Sequence, residues 1–368
     1  MGLARVAGML ALSAIAFGRQ DPDTVIRTTT RLVQIVVVAE DSQGRPVADL
    51  RKADFQLQDN HKPQPITSFA TEGSTLPSSE TGASASQTEE DAARNDYAMI
   101  LLDWLNPRYA DRLVVRDKVN KLLRKFQPRQ LVALYLLGHE SRLLHDFTAD
   151  GGDLMQALAD TADDPEDLLD PATPRLLDAR YKTWRTLTVE ERIAAFNVKI
   201  LDTIGALQKV ADGLARIPGR KSLIWVTNGF PITLDAHAVP GSGRDEPSYR
   251  EYVEPLIAKL NRANVAVYTL DARGLQPPDA VSYGDVGTLQ ELSARTGGTA
   301  FYDRNDLDEG MRLALEDMKI SYTLGFAVPL GAAPGQHEIR VSAARPGVTL
   351  RYRRSYQLDD APAPPRRK

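Results

Sequence analysis

From Asp96 onward the chain alternates continuous apolar runs with segments of helical periodicity, and no other feature narrows the possible folds as far. Tyr97-Ala98-Met99-Ile100-Leu101-Leu102 is apolar throughout, as a strand buried on both faces requires. Val115, Val119, Leu122, Leu123 and Phe126 follow at helical spacing, Pro128 stops that helix, and 131–137 is the next apolar run. Together they make one β-α-β unit. After an irregular acidic stretch, 160–170, the pattern resumes with a helix face of Ile204, Leu207, Val210, Ala211 and Leu214 and a strand at 223–226. Ser248 and Glu251 then form a capping box for a helix presenting Tyr249, Val253, Leu256, Ile257 and Leu260, and a strand follows at 265–270. A helix at 288–295 closed by Gly297-Gly298, a strand at 299–302 and a helix at 307–318 complete the series. This alternation predicts an α/β fold over residues 96–317, with a doubly wound, mostly parallel central sheet and helices on both faces.

The flanks have a different character. In 25–70, Leu32, Gln34, Val36 and Val38 lie in a β-branched run that ends at the turn Asp41-Ser42-Gln43-Gly44. Val47, Leu50, Phe55, Leu57, Ile66 and Phe69 continue it in short pieces, which predicts three or four antiparallel strands. Residues 71–95 carry Ser, Thr, Gly, Ala and acids with almost no large apolar side chain, and read as a flexible linker. In 318–358 the β pattern returns: Tyr322, Leu324 and Phe326 alternate, as do Ile339, Val341 and Ala343, with Leu350, Tyr352 and Tyr356 as one further strand. Residues 359–368 form a tail. Neither β segment is large enough for a core of its own, so the two are expected to pair into an accessory antiparallel β-sandwich from which the α/β domain is inserted. Extension of the central sheet by the C-terminal strands is the alternative.

With 368 residues and 42% hydrophobic content the chain can bury a large core. Its 45 basic and 49 acidic residues nearly cancel, so no global field draws it to nucleic acid. The absence of cysteine excludes disulfides, thiolate metal sites and cysteine nucleophiles. Arg5 precedes an apolar run, 6–17, containing Ala14-Ile15-Ala16 at the spacing signal peptidase accepts; residues 1–18 therefore read as a signal peptide and the chain as exported, periplasmic or secreted. That run falls short of the roughly 20 residues that span a bilayer, so no transmembrane helix is expected after cleavage.

In open α/β sheets ligands sit beyond the carboxyl ends of the strands. Two such ends carry short polar side chains: Asp103-Trp104-Leu105-Asn106-Pro107 and Thr227-Asn228-Gly229-Phe230. Hydrolase signatures are missing, since the five histidines form no His-x-x-x-His pair and no Gly-x-Ser-x-Gly elbow occurs. Gly219-Arg220-Lys221-Ser222 precedes a strand instead of opening a helix and reads as a turn, not a phosphate loop. Asp163, Asp164, Glu166, Asp167 and Asp170 lack the order of a calcium loop. Asp271 and Arg273 are expected to form a structural ion pair. Trp104 and Phe230 stand beside Asp103 and Asn228, either as exposed anchors for a partner or packed under the loops.

The apolar strand before Asp103, Gly219-Arg220-Lys221-Ser222 before Leu223-Ile224-Trp225, Thr227-Asn228-Gly229, and Asn264-Val265-Ala266-Val267-Tyr268 leading to Asp271-Ala272-Arg273-Gly274 together resemble the von Willebrand factor A superfamily, especially bacterial exported members with a β-rich preamble. In that superfamily a divalent ion, usually magnesium, is held by an Asp-x-Ser-x-Ser loop, a threonine and a further aspartate. Asp103 matches the first aspartate, Leu105 and Pro107 fall where the serines stand, Thr203 stands for the threonine, and Asn228 replaces the second carboxylate. The resemblance implies a degenerate metal site at Asp103 and Asn228, with Asn106 as a substitute ligand, no cofactor beyond weak magnesium, and no enzymatic activity. It implies a protein-binding, adhesion-type module with Trp104, Asn106, Thr203 and Phe230 on its face and a protein partner whose identity is open. A structural component of the envelope and, less favoured, a hydrolase using Asp103 and Asp271 are the alternatives.

Overall fold

The computed structural model describes residues 30–72, 96–106, 109–124, 130–138, 140–161, 188–230, 249–275, 283–317, 320–329 and 332–358. The apolar run at 6–17 expected as a signal peptide, residues 73–95, Pro107, Ser248, the acids from Asp163 to Asp170 and the tail lie outside the described residues.

A six-stranded sheet is built from β5 (Asp96–Asp103), β6 (Gln130–Leu137), β7 (Arg142–Thr148), β8 (Lys221–Thr227), β9 (Val265–Asp271) and β10 (Ala300–Phe301), in the order β10-β9-β8-β5-β6-β7. All neighbours are parallel except β7, which pairs antiparallel with β6 at one edge. Numbered within the sheet, this is the doubly wound order 3-2-1-4-5-6, with the switch between β5 and β8.

Side-chain alternation sorts the strands' apolar residues onto two faces. Met99, Leu101, Leu223, Trp225, Val265 and Val267 point to one, where they meet α3 (Val189–Leu214), α4 (Arg250–Arg262) and α5 (Tyr283–Thr296) through Ile204, Leu207, Val253, Leu256, Leu289 and Leu292. Ala98, Ile100, Leu102, Ile224, Val226, Ala266 and Tyr268 point to the other, covered by α1 (Tyr109–Leu123), α2 (Gly151–Asp160) and α6 (Leu307–Glu316) through Val115, Val119, Leu154, Leu158, Met311 and Leu315. Every residue of β8 and β9 is buried, which is why these strands read as unbroken apolar runs.

Several elements depart from the sequence pattern. β7 and α2 fill a stretch in which the sequence shows neither: β7 is half-exposed along its length and has register shifts against β6, so it lacks a clean alternation. Helix α3 begins well before the face that announces it. Helix α4 begins at Arg250, with Tyr249 as its N-cap and no side-chain cap bond; the Ser248 of the expected capping box lies outside the described residues. At the end of α5, Gly297 takes φ 83°, the left-handed conformation that suits glycine.

The remaining strands form two antiparallel four-stranded sheets. One has the order β13-β1-β11-β4, from β1 (Thr30–Glu40), β4 (Ser68–Glu72), β11 (Ser321–Pro329) and β13 (Thr349–Tyr352). The other is β14-β12-β2-β3, from β2 (Phe55–Asp59), β3 (Lys62–Gln64), β12 (Gly335–Ala343) and β14 (Ser355–Leu358). Each therefore mixes strands from both flanks, and the C-terminal strands do not extend the parallel sheet. Ile35, Val37, Leu324 and Phe326 of the first share one apolar cluster with Phe55, Leu57, Ile339, Val341 and Tyr356 of the second. The single strand expected around Leu350–Tyr356 is two strands, split at Arg353-Arg354 and belonging to different sheets.

Arginines join this β unit to the α/β unit. Arg351 donates to Asp317 Oδ1 at 2.6 Å and Thr299 Oγ1 at 3.0 Å, and pairs with Glu40. Arg353 donates to the carbonyls of Asn261 at 2.5 Å and Gln34 at 2.6 Å. Asn261 and Thr299 precede β9 and β10, so the seam lies at the amino edge of the parallel sheet and leaves the carboxyl edge uncovered by the β unit.

Candidate functional site at the carboxyl edge

Three neighbouring strands end on polar residues at this edge: β5 on Asp103, β8 on Thr227 and β9 on Asp271. Asp103 is fully buried. Its Oδ1 accepts the backbone N–H groups of Leu105 at 3.1 Å and Asn106 at 2.9 Å. Its Oδ2 accepts the Asn106 side-chain amide at 2.8 Å and the Thr227 hydroxyl at 2.7 Å. Burial pushes the carboxyl's pKa up, while the donors from Asn106 and Thr227 and the charge of Lys199 oppose that shift.

Asn106 extends the lattice to α3. Its Nδ2 also lies 3.2 Å from Thr203 Oγ1, Thr203 donates to the Lys199 carbonyl at 2.9 Å, and Lys199 Nζ donates to the Asn106 carbonyl at 3.1 Å. The sequence-derived residues Asp103, Asn106 and Thr203 thus meet in one hydrogen-bonded set. Lys199 belongs to that set and is not among the residues the motif points to, although its place one helical turn before Thr203 on the same face was a usable signal. Burial holds its ammonium below the usual lysine range, opposed by attraction to Asp103.

Asp271 is 2% exposed and is gripped by Arg273, whose Nε and Nη2 reach its carboxylate at 2.9 and 2.6 Å. The Arg273 guanidinium passes under Gly229, where an added Cβ would meet its Cζ at 3.2 Å. Asn228 is partly exposed, yet its amide nitrogen and oxygen are buried with no hydrogen-bond partner among the described residues.

Trp104 and Phe230 are placed as packing residues, not as exposed anchors. The backbone N–H of Trp104 donates to the Leu137 carbonyl at 2.8 Å, so the chain still follows the sheet and alternation turns the ring inward beside Leu102; Trp104 is 4% exposed. Phe230 is 2% exposed and packs edge-on against Trp225, ring centroids 5.4 Å apart. An apolar side chain exposed at this edge among the described residues is Leu275, in the loop after β9, which is 61% exposed and which no sequence pattern singles out.

Magnesium requires about six oxygen ligands, several of them anionic. The residues present do not fit such an ion. Both Asp103 oxygens are taken up by four protein donors, Leu105 is a buried core side chain where a hydroxyl would be needed, and no group of three or more His, Cys, Asp or Glu side chains converges among the described residues.

No family model matches the sequence, and no curated protein matches it. Solved structures do. An aerotolerance-related membrane protein from Bacteroides fragilis NCTC 9343, carrying multiple mutations to serines, is 12% identical, with 60% of this chain and 98% of that one covered at a TM-score of 0.34. The SpRpn10 VWA domain is 11% identical, with 56% and 86% covered at 0.27. The pilus adhesin SpaC from Lactobacillus rhamnosus GG is 11% identical, with 73% and 38% covered at 0.35. At such identities and scores these likenesses carry no argument about function.

Proposed function

We propose that this chain, von Willebrand factor A-like in its α/β unit, is an exported protein-binding module whose face is the carboxyl edge of the parallel sheet and whose metal-ion-dependent adhesion site is degenerate. The observation that carries the reading is the saturation of Asp103 by four internal donors. A carboxylate so engaged neither ligates an ion nor shuttles a proton, because each role needs an oxygen lone pair facing outward. The second carboxylate of this edge is held in the Arg273 fork. Acid–base catalysis by Asp103 and Asp271 therefore lacks a free partner, and the edge is suited to recognition.

Recognition would fall to the exposed Leu275 and to the loop surface at the partly exposed Asn106, whose loop the hydrogen bonds to Asp103 and Lys199 fix from beneath. Export is supported by the Arg5-led apolar run at 6–17, and among the described residues no helix is long and apolar enough to cross a membrane. The accessory β-sandwich, docked at the opposite edge, would hold the module by its back.

The test is capture from an envelope extract with the mature chain as bait, with and without chelator. Capture should survive chelation, and Leu275→Asp should lower it about tenfold, the equivalent of about 1.4 kcal/mol at a buried contact. Capture that needs magnesium, or that Leu275→Asp leaves intact, refutes the assignment of this face.

A further inference from the structure

We propose that the Lys199 ammonium is the resident cation of the Asp103 loop, held on the Asn106 carbonyl. This deepens the reading of a degenerate site and rests on it. A buried carboxylate needs a counter-charge or a dense set of donors, since uncompensated burial of an ion costs several kcal/mol. Asp103 has the donors, and Lys199 brings a charge to the same loop without a direct ion pair, its ammonium docking on the Asn106 carbonyl.

The geometry makes the lysine part of the loop and not a bystander. Its ammonium donates to the Asn106 carbonyl at 3.1 Å, while the Asn106 side chain donates to Asp103 at 2.8 Å. The backbone and the side chain of one residue therefore tie the cation to the anion. Thr203, one turn along α3, donates to the Lys199 carbonyl at 2.9 Å and receives the Asn106 amide at 3.2 Å, which fixes the helix against the loop. The other cation close to this loop, Arg112, donates to the Trp104 carbonyl at 2.5 Å and lies over the Trp104 ring. Arg273 is committed to Asp271.

The charge count agrees. Two carboxylates call for a divalent ion. Here the second carboxylate position holds the neutral amide of Asn228, so the negative charge of the loop is reduced to that of Asp103, and the Lys199 ammonium lies against the same loop. Because that ammonium is covalently part of the chain, the loop is assembled at any metal concentration.

Thermal melts of the full mature chain test this, using Lys199→Met, Asp103→Asn and the double variant, each in chelator and in millimolar magnesium. The wild type should melt at the same temperature in both buffers. Lys199→Met should melt roughly 2–5 °C lower, as when a half-buried ammonium and its hydrogen bond to a loop carbonyl are lost. The double variant should melt within about 1 °C of Asp103→Asn, because without the carboxylate the ammonium has nothing to balance. If Lys199→Met does not fold at all, a double variant that folds like Asp103→Asn supports the same pairing. Additive losses, or a saturable rise of the wild-type melting temperature with magnesium that Asp103→Asn abolishes, overturn the proposal. Partner capture plays no part in these melts, so a failure of the binding assignment is distinguishable from a failure here.

Discussion

Lys221 opens β8 with only 2% of its surface exposed, and its ammonium donates to the carbonyls of Ile217 at 2.7 Å and Gly219 at 2.9 Å. Burial lowers its pKa from 10.5 to about 8. The sign of the linkage follows: between about 8 and 10.5 the unfolded chain binds a proton that the folded one has released, so this group makes stability rise with pH across that window. Lys221→Met removes the group. Melts of wild type and variant from pH 7 to 10.5 should therefore show the wild type gaining on the variant above pH 8, and a constant difference would mean that the ammonium is not perturbed. At this scale the sequence exposes type and spacing but not direction. Asp103 stood out because an acid follows six apolar residues. The inward turn of Trp104 did not, since it depends on one further ladder bond to Leu137. Lys199 carried only its spacing from Thr203 as a signal, because its partner lies in a loop more than 90 positions earlier in the chain.

Among the elements, the junction of α5 with β10 is the most tightly specified. Gly298 donates its N–H to the Ser293 carbonyl at 2.9 Å, and a Cβ there would lie 2.0 Å from the Val267 carbonyl oxygen in the neighbouring strand. Gly298→Ala must push β10 away from β9 and should cost at least about 1–3 kcal/mol. Gly205, inside α3, meets nothing within 4 Å, so Gly205→Ala should gain about 0.5–1 kcal/mol. Urea midpoints of the two variants should move in opposite directions; movement in the same direction would contradict the placement of β10 against β9. Strands buried on both faces, such as β8 and β9, were legible because burial leaves an unbroken apolar run. Edge strand β7 was not, because partial exposure and bulging blur its alternation. Nothing in the run from Leu350 to Tyr356 signals that β13 and β14 part company, since each retains inward apolar residues and only the tertiary fold separates them.

Across the whole molecule, Arg351 links three parts: β1 through Glu40, the end of α6 through Asp317, and the approach to β10 through Thr299. Arg351 is largely buried, and Asp317 is 3% exposed. Arg351→Ala should cost roughly 1–3 kcal/mol, less than a fully buried pair because the arginine keeps some solvent. It should also weaken the coupling between the units, so that calorimetry shows a broadened or split transition where the wild type shows one. A variant as stable and cooperative as the wild type would show that the seam is held by packing alone.

The pairing of β1 with β11 and of β2 with β12 has a temporal side. Thr30 finds its partner at Pro329 and Asp59 at Ile339, whereas the parallel sheet closes entirely within 96–301. During vectorial synthesis β1 must wait unpaired until β11 and β13 appear, and β2, paired early with β3, lacks its second neighbour until β12 appears. The inserted unit can complete itself in the meantime. A chain cut short by as little as the residues of β13 and β14 would leave a finished parallel sheet on a molecule whose opposite end displays raw strand borders, and such a truncated product invites self-association.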